Sequence, residues 1–113
     1  MEKIAEKKKT SSKTKKPEMK LLVICVRMGF SSAAIEAAKS AGGEGAFVIE
    51  GRGVGNSEKK FFGLRIEPET EVVFMAVPEK DCLKISKAIY AACPYTSDAR
   101  GQVLVLPLAH WFI

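Results

Sequence analysis

Between Lys20 and Arg27 the chain is apolar without interruption, and after Gly29 the spacing of its apolar residues changes. A run bounded by charge reads as a strand, Lys20–Arg27, buried on both faces. Beyond the glycine, Ala34, Ala37, Ala38 and Ala41 recur at helical spacing with Ile35 alongside, and Glu36 and Lys39 take the outer side. This predicts a helix that starts at Ser31 or Ser32, either able to cap it, and runs through Ala41. Its narrow alanine stripe implies close approach to a sheet, and Gly42-Gly43 ends it. Ala46–Glu50 reads as a second strand, and the polar, glycine-rich Arg52–Lys60 as a loop. Phe61–Ile66 is read as an extension of that hairpin. Pro68 interrupts, and Glu71–Val77 is a third strand with VVFMAV as its core. Pro78 suits the entry to a helix, Glu79–Ala92. That helix places Cys82, Ile85, Ile89 and Ala92 on one side and Lys80, Lys84 and Lys87 on another, with Asp81 near its positive end. Pro94 stops it. Val103–Leu108 is the fourth strand, with Pro107 at a sheet edge or outside the ladder.

The order is β-α-β-β-α-β, an α+β class arrangement of the ferredoxin-like sandwich type. At 113 residues there is room for one domain, placed at residues 19–113 behind a basic tail of residues 1–18. Residues 1–20 hold eight lysines against three glutamates, while the remainder has equal numbers of basic and acidic residues. The net charge of +5 therefore belongs to residues 1–20, nearly all of it to the tail. That segment has too few apolar residues to fold. It reads either as a solubilising extension or as a segment drawn to acidic lipid or nucleic acid. No apolar run of signal-peptide length follows its lysines, and Leu21–Val26 is too short to span a bilayer, so the expectation is a cytoplasmic protein. Cys25, Cys82 and Cys93 show no metal or redox spacing and read as reduced, buried thiols; with His110 the only histidine, no metal site is expected. Trp111, Phe112 and Ile113 at the chain's end are read as part of a subunit interface.

The densest glycine stretch is Gly42–Gly55, GGEGAFVIEGRGVG, with six glycines in fourteen residues. Glycine clusters mark backbone that reaches positive φ or admits a close neighbour. Together with AAKSAGGEG before the second strand, IEPETEVVFMAVPEKD around the third, and Ala99-Arg100-Gly101-Gln102 before the fourth, this stretch resembles the PII nitrogen-regulatory signalling proteins. The likeness covers about Met19–Ile113. It implies a homotrimer whose sheets face one another about a three-fold axis. It further implies an adenine nucleotide, ATP, ADP or AMP, in the clefts between subunits. A loop would then dock on a regulated partner, such as a membrane transporter or an enzyme of nitrogen metabolism. By position, the resemblance assigns Gly45, Gly53, Gly55, Arg100 and Gly101 to the nucleotide and Arg52, Glu58, Lys59 and Lys60 to the partner, with Glu67, Glu69 and Glu71 as an acidic flank.

The sequence departs from that family at three places. The connection Asn56–Lys60 is short, so the family's long modifiable loop is largely missing. The second glycine-rich loop reads YTSDARGQ, with Gln102 where the family has a phosphate-facing lysine. No arginines follow the last strand. A triphosphate needs several cations as well as backbone N–H groups, and only Arg52 and Arg100 are in view. A smaller or less charged adenine nucleotide is an equal candidate, and a tight hairpin alone would also explain the glycines. Two other functions stay open. An RNA-binding sheet needs exposed aromatics on central strands, and the third strand offers only Phe74. An enzyme needs a base or nucleophile with an orienting partner, and nothing is paired in sequence with His110. The reading is thus a non-catalytic regulator.

Overall fold

The computed structural model describes residues 18–52, 60–61, 64–65 and 69–112. Its elements in order are β1 (Met19–Arg27), α1 (Ser31–Ser40), β2 (Phe47–Arg52), β3 (Lys60–Phe61), β4 (Leu64–Arg65), β5 (Glu69–Pro78), α2 (Glu79–Ala92) and β6 (Gln102–Pro107). The main sheet is antiparallel throughout, in the order β2-β5-β1-β6, which is the ferredoxin-like arrangement expected. Phe61–Ile66 does not extend the β2 hairpin: Lys60–Phe61 and Leu64–Arg65 pair with each other in a separate ribbon. Pro107 closes β6, an edge strand, where a missing N–H leaves no ladder bond unmade. The proposed tail, apart from Glu18, lies outside the described residues.

Both helices cover one face of the sheet. Leu22, Ile24 and Val26 of β1 and Val73, Met75 and Val77 of β5 meet Ala34 and Ala38 of α1 and Cys82, Ile85 and Ile89 of α2 in one buried cluster. Each large aliphatic side chain withdrawn here contributes roughly 1.5–3 kcal/mol. The alternation in β1 corrects the expectation of a strand buried on both sides: Leu21, Val23 and Cys25 point away from the helices and are only half-buried. Cross-strand partners share a face, so the register gathers Ala76, Phe74 and Val72 of β5 beside them. Phe47 and Ile49 of β2 and Leu104 and Leu106 of β6 complete that second face. It is apolar, and among the described residues no element covers it. Phe47 is 78 % exposed and Ile49 54 %.

Helix ends follow local chemistry, with one surprise. Pro78 occupies the N-cap of α2 in extended conformation, and Cys93 closes it before Pro94. Cys93 is buried, whereas Ala92 is exposed, because a residue one step further round the helix faces the sheet. Gly42, at φ +114°, turns the chain after α1, and the Gly43 N–H returns 2.7 Å to the Ala38 carbonyl. At its start, neither Ser31 nor Ser32 caps α1: the N-cap is Phe30. The capping oxygen comes from Glu71 on β5.

Candidate functional site

The C-terminal ends of β1 and β2 and the N-terminal ends of β5 and β6 lie at one end of the sheet. The register there aligns Arg27 with Thr70, Thr70 with Gly51, Arg52 with Glu69, and Cys25 with Gln102. The start of α1 and the loop after α2 join them. Arg52 and Arg100, read from the sequence as the local cations, are both at this end and exposed. Arg27 is a third exposed cation here that sequence reasoning missed. Its signal was topological: in a β-α-β-β-α-β sheet the first and second strands finish at the same end.

Glu71 holds this end together. One of its carboxylate oxygens accepts the N–H of Gly29 at 3.1 Å and of Ser31 at 3.0 Å. The Ser31 hydroxyl and the Phe30 N–H also favour the charged form of the carboxylate. Beside it, the Met28 N–H donates to the Glu69 carbonyl at 3.1 Å. Burial alone would raise the Glu71 pKa, but these hydrogen bonds outweigh it and hold the carboxyl below its ordinary value. Glu71 therefore serves the first turn of α1 and is not part of a free acidic flank. Its register position, in line with Val73 and Met75 on the helix-covered face, was the clue that its side chain needs internal donors. Glu67 lies outside the described residues.

The loop from Pro94 to Gly101 is closed on itself. The Pro94 carbonyl accepts the Ser97 N–H at 3.0 Å, the Ser97 hydroxyl at 2.6 Å and the Gly101 N–H at 3.4 Å. The Ala99 N–H donates to Ser97 Oγ and the Arg100 N–H to the Ser97 carbonyl. The Arg27 N–H then binds the Ala99 carbonyl at 2.8 Å and fastens the loop to β1. Gly101 is buried, and a β-carbon on it would collide with the Cys93 carbonyl. Its glycine is thus demanded by packing, and its N–H is engaged within the loop. Arg100 sits at φ +50°, with its guanidinium 5.3 Å from the Tyr95 ring centre and one N–H 3.3 Å from the Tyr95 carbonyl. The Tyr90 hydroxyl accepts the Tyr95 N–H at 3.1 Å and ties the loop back to α2.

Gly45 is elsewhere. It precedes β2, so about 20 Å of extended chain separates it from Arg52 within one copy. Gly53, Gly55, Glu58 and Lys59 lie outside the described residues, and Lys60 opens β3. Cys82 and Cys93 are buried as expected, whereas Cys25 is half-exposed on the open face; all three are free thiols. Burial pushes the Cys25 and Cys93 thiols up from their ordinary value. Among the described residues, no three His, Cys, Asp or Glu side chains are grouped to hold a metal. Nor is any helix among them long and apolar enough to cross a membrane.

No family model and no curated protein matches the sequence. Solved structures do match in shape. Arabidopsis thaliana PII bound to citrate superposes with a TM-score of 0.61 over 82 % of this chain and 77 % of that one, at 16 % identity. The fold is PII-like. A Bacillus cereus protein related to NIF3 gives a TM-score of 0.65 over 86 % of this chain, at 24 % identity. This chain spans only 27 % of that protein's length. At such identities the likeness is one of fold.

Proposed function

We propose that this chain is a non-catalytic PII-like regulator, a homotrimer that binds a small anionic effector between subunits and changes its docking on a partner protein. The observation that carries the reading is the uncovered apolar face of a PII-like sheet. A face that presents Phe47, Ile49 and Leu106 to solvent on one copy is suited to burial against other copies. Three such sheets facing one another would cover it, with Phe112, 88 % exposed, available to the same contacts.

The effector class is an adenine nucleotide, and ADP or AMP fits better than ATP. The local cations are Arg27, Arg52 and Arg100, and the amides of Arg100 and Gly101 are engaged within their own loop. Three arginines without a phosphate-facing lysine suit one or two phosphates. The segment from Arg52 to Lys60 starts beside these cations, so an effector there can bias its order and its use as a docking loop. A transporter or an enzyme of nitrogen metabolism is the partner class.

Two measurements test the reading. Light scattering coupled to size exclusion is expected to give a trimer; a stable monomer at micromolar concentration sinks it. A thermal-shift panel of ATP, ADP and AMP with and without magnesium, 2-oxoglutarate and citrate is expected to show stabilisation by the nucleotides. A ligand at a hundredfold excess over its Kd stabilises by about 2.7 kcal/mol. No shift with any nucleotide would remove them as effectors.

A further inference from the structure

Both outer strands of the sheet are unfinished. In the order β2-β5-β1-β6, no strand among the described residues pairs with the outer edge of β2 or of β6. A strand edge is a row of backbone donors and acceptors ready for another strand, and natural edges are usually blunted by charge, proline or a bulge. β2 opens instead with Phe47, Val48 and Ile49, its charges Glu50 and Arg52 come only in its second half, and all six of its residues are exposed. The helices do not reach it. Val48 aligns with Val73 on the helix-side face, yet Val73 is fully buried and Val48 is 43 % exposed. β6 has the same profile. Val105 aligns with the buried Leu22 on that face and is 47 % exposed, and Pro107, a blunting residue, stands only at the last position. Exposed apolar side chains thus lie on both faces of each edge, so burial of the open face alone leaves Val48 and Val105 uncovered.

We infer that the β2 edge of one copy is the docking surface for the β6 edge of the next, which joins the sheets of the trimer into one continuous ladder. The inference rests on the trimeric reading and says how its subunits are held. The strand sense fits. Three successive antiparallel pairings make β2 run opposite to β6. A copy turned about an axis along the strands keeps its direction, so its β6 meets β2 antiparallel. The parity of the faces fits as well. Phe47 and Ile49 belong to the open face and Val48 to the helix side, while Leu104 and Leu106 belong to the open face and Val103 and Val105 to the helix side. Cross-strand partners share a face. The longest overlap that meets this condition and leaves Pro107 outside the ladder sets Phe47 against Leu106, Val48 against Val105 and Ile49 against Leu104. Apolar side chains exposed on one edge then meet apolar ones on the other, on both faces, which favours a second copy over a foreign extended segment. The dimensions select three copies. Neighbouring strands lie about 4.8 Å apart, so a four-stranded sheet makes a side about 19 Å wide. Three such sides put each sheet about 5.5 Å from the axis, close to half the roughly 10 Å at which sheets pack face to face. Two flat sheets packed at that distance hold their edges too far apart for a hydrogen bond, and four sides leave a hollow at the centre.

The test is light scattering coupled to size exclusion, over a concentration series of the full chain, with variants that leave the open face untouched. Val48→Lys and Val105→Lys, each alone, are expected to raise the concentration needed for trimer formation by about tenfold or more, since each sets an ammonium against an apolar partner at every junction. Both positions are exposed on a single copy, so a far-UV circular dichroism spectrum of wild-type shape serves as the folding control. Val48→Lys combined with Val105→Glu is expected to recover most of the loss, because the two charges then face each other across the junction. A folding defect would not be repaired in this way. Lysine variants that assemble like wild type overturn the edge pairing and leave the trimer standing. Loss in the single variants with no recovery in the combined one overturns the pairing as well. A wild type that is monomeric overturns both the pairing and the trimer.

Discussion

The two faces of the sheet are built from alternate residues of the same strands, yet they have different fates. Leu22, Ile24 and Val26 are sealed under the helices, while Leu21, Val23 and Cys25, their immediate neighbours, wait on the other side. Both sets are equally apolar. What separates them is that α1 and α2 both fold onto one side, so among the described residues only that side has a cover. The covered face answers for the fold of one copy, and the open face is the one through which the proposed trimer would form.

The sharpest way to break this contrast is to damage the covered face. Leu22→Ala removes a fully buried side chain from the centre of the sheet and is expected to cost about 2–5 kcal/mol in urea unfolding. A loss below one kcal/mol would mean that the core is not where the buried cluster places it. Gly101→Ala comes next, because the new methyl meets the Cys93 carbonyl; a loss of about 1–3 kcal/mol, read as a lowered Tm, is expected. For that reason a Gly101 variant does not isolate effector binding, and Arg100→Ala is the cleaner choice for that question.

Glu71→Ala is expected to cost about 0.5–2 kcal/mol through loss of the cap on α1. The sign with pH is fixed by the direction of the shift. A carboxyl held below its ordinary 4.5 contributes in full above that value, and its contribution is lost as pH falls through the lower folded value. Glu71→Gln should therefore flatten the acid limb of the stability profile below about pH 4.5 and leave its neutral part less altered; an unchanged acid limb would show that other carboxylates set it. The smallest effect on a single chain belongs to the open face. Ile49→Ser is expected to shift monomer stability by roughly 0.5 kcal/mol or less, yet to dissociate the proposed trimer in light scattering. A variant that assembles normally would show that this face is not the contact.

Much of this was legible along the chain because it depends on local signals. Helix α2 has the bounds read from its sequence, since Pro78 and Pro94 bracket an unambiguous helical period. The strand order followed from the connections once two helices and four strands were recognised. The parity of β1 was hidden, because a continuous apolar run looks the same whether one face or two are covered within the chain. Glu71 was read as a surface acid because its donors lie about forty residues away in sequence. Arg100 and Gly101 were placed in the right loop. The reason for Gly101, a carbonyl eight residues back across the turn, belongs to packing and leaves no pattern of its own.

The sheet order carries a consequence for the chain in time. β1 is an inner strand, and both of its neighbours, β5 and β6, come from the second half of the sequence; Lys20 pairs with Val77 on one side and with Pro107 on the other. During synthesis, at roughly 5–20 residues per second, the apolar β1 emerges several seconds before either partner exists. Pairings this distant also slow folding, because the loops between them must close first. For that interval the first strand has only α1 to lean on, and the nascent chain is most exposed to aggregation before its last strand is made.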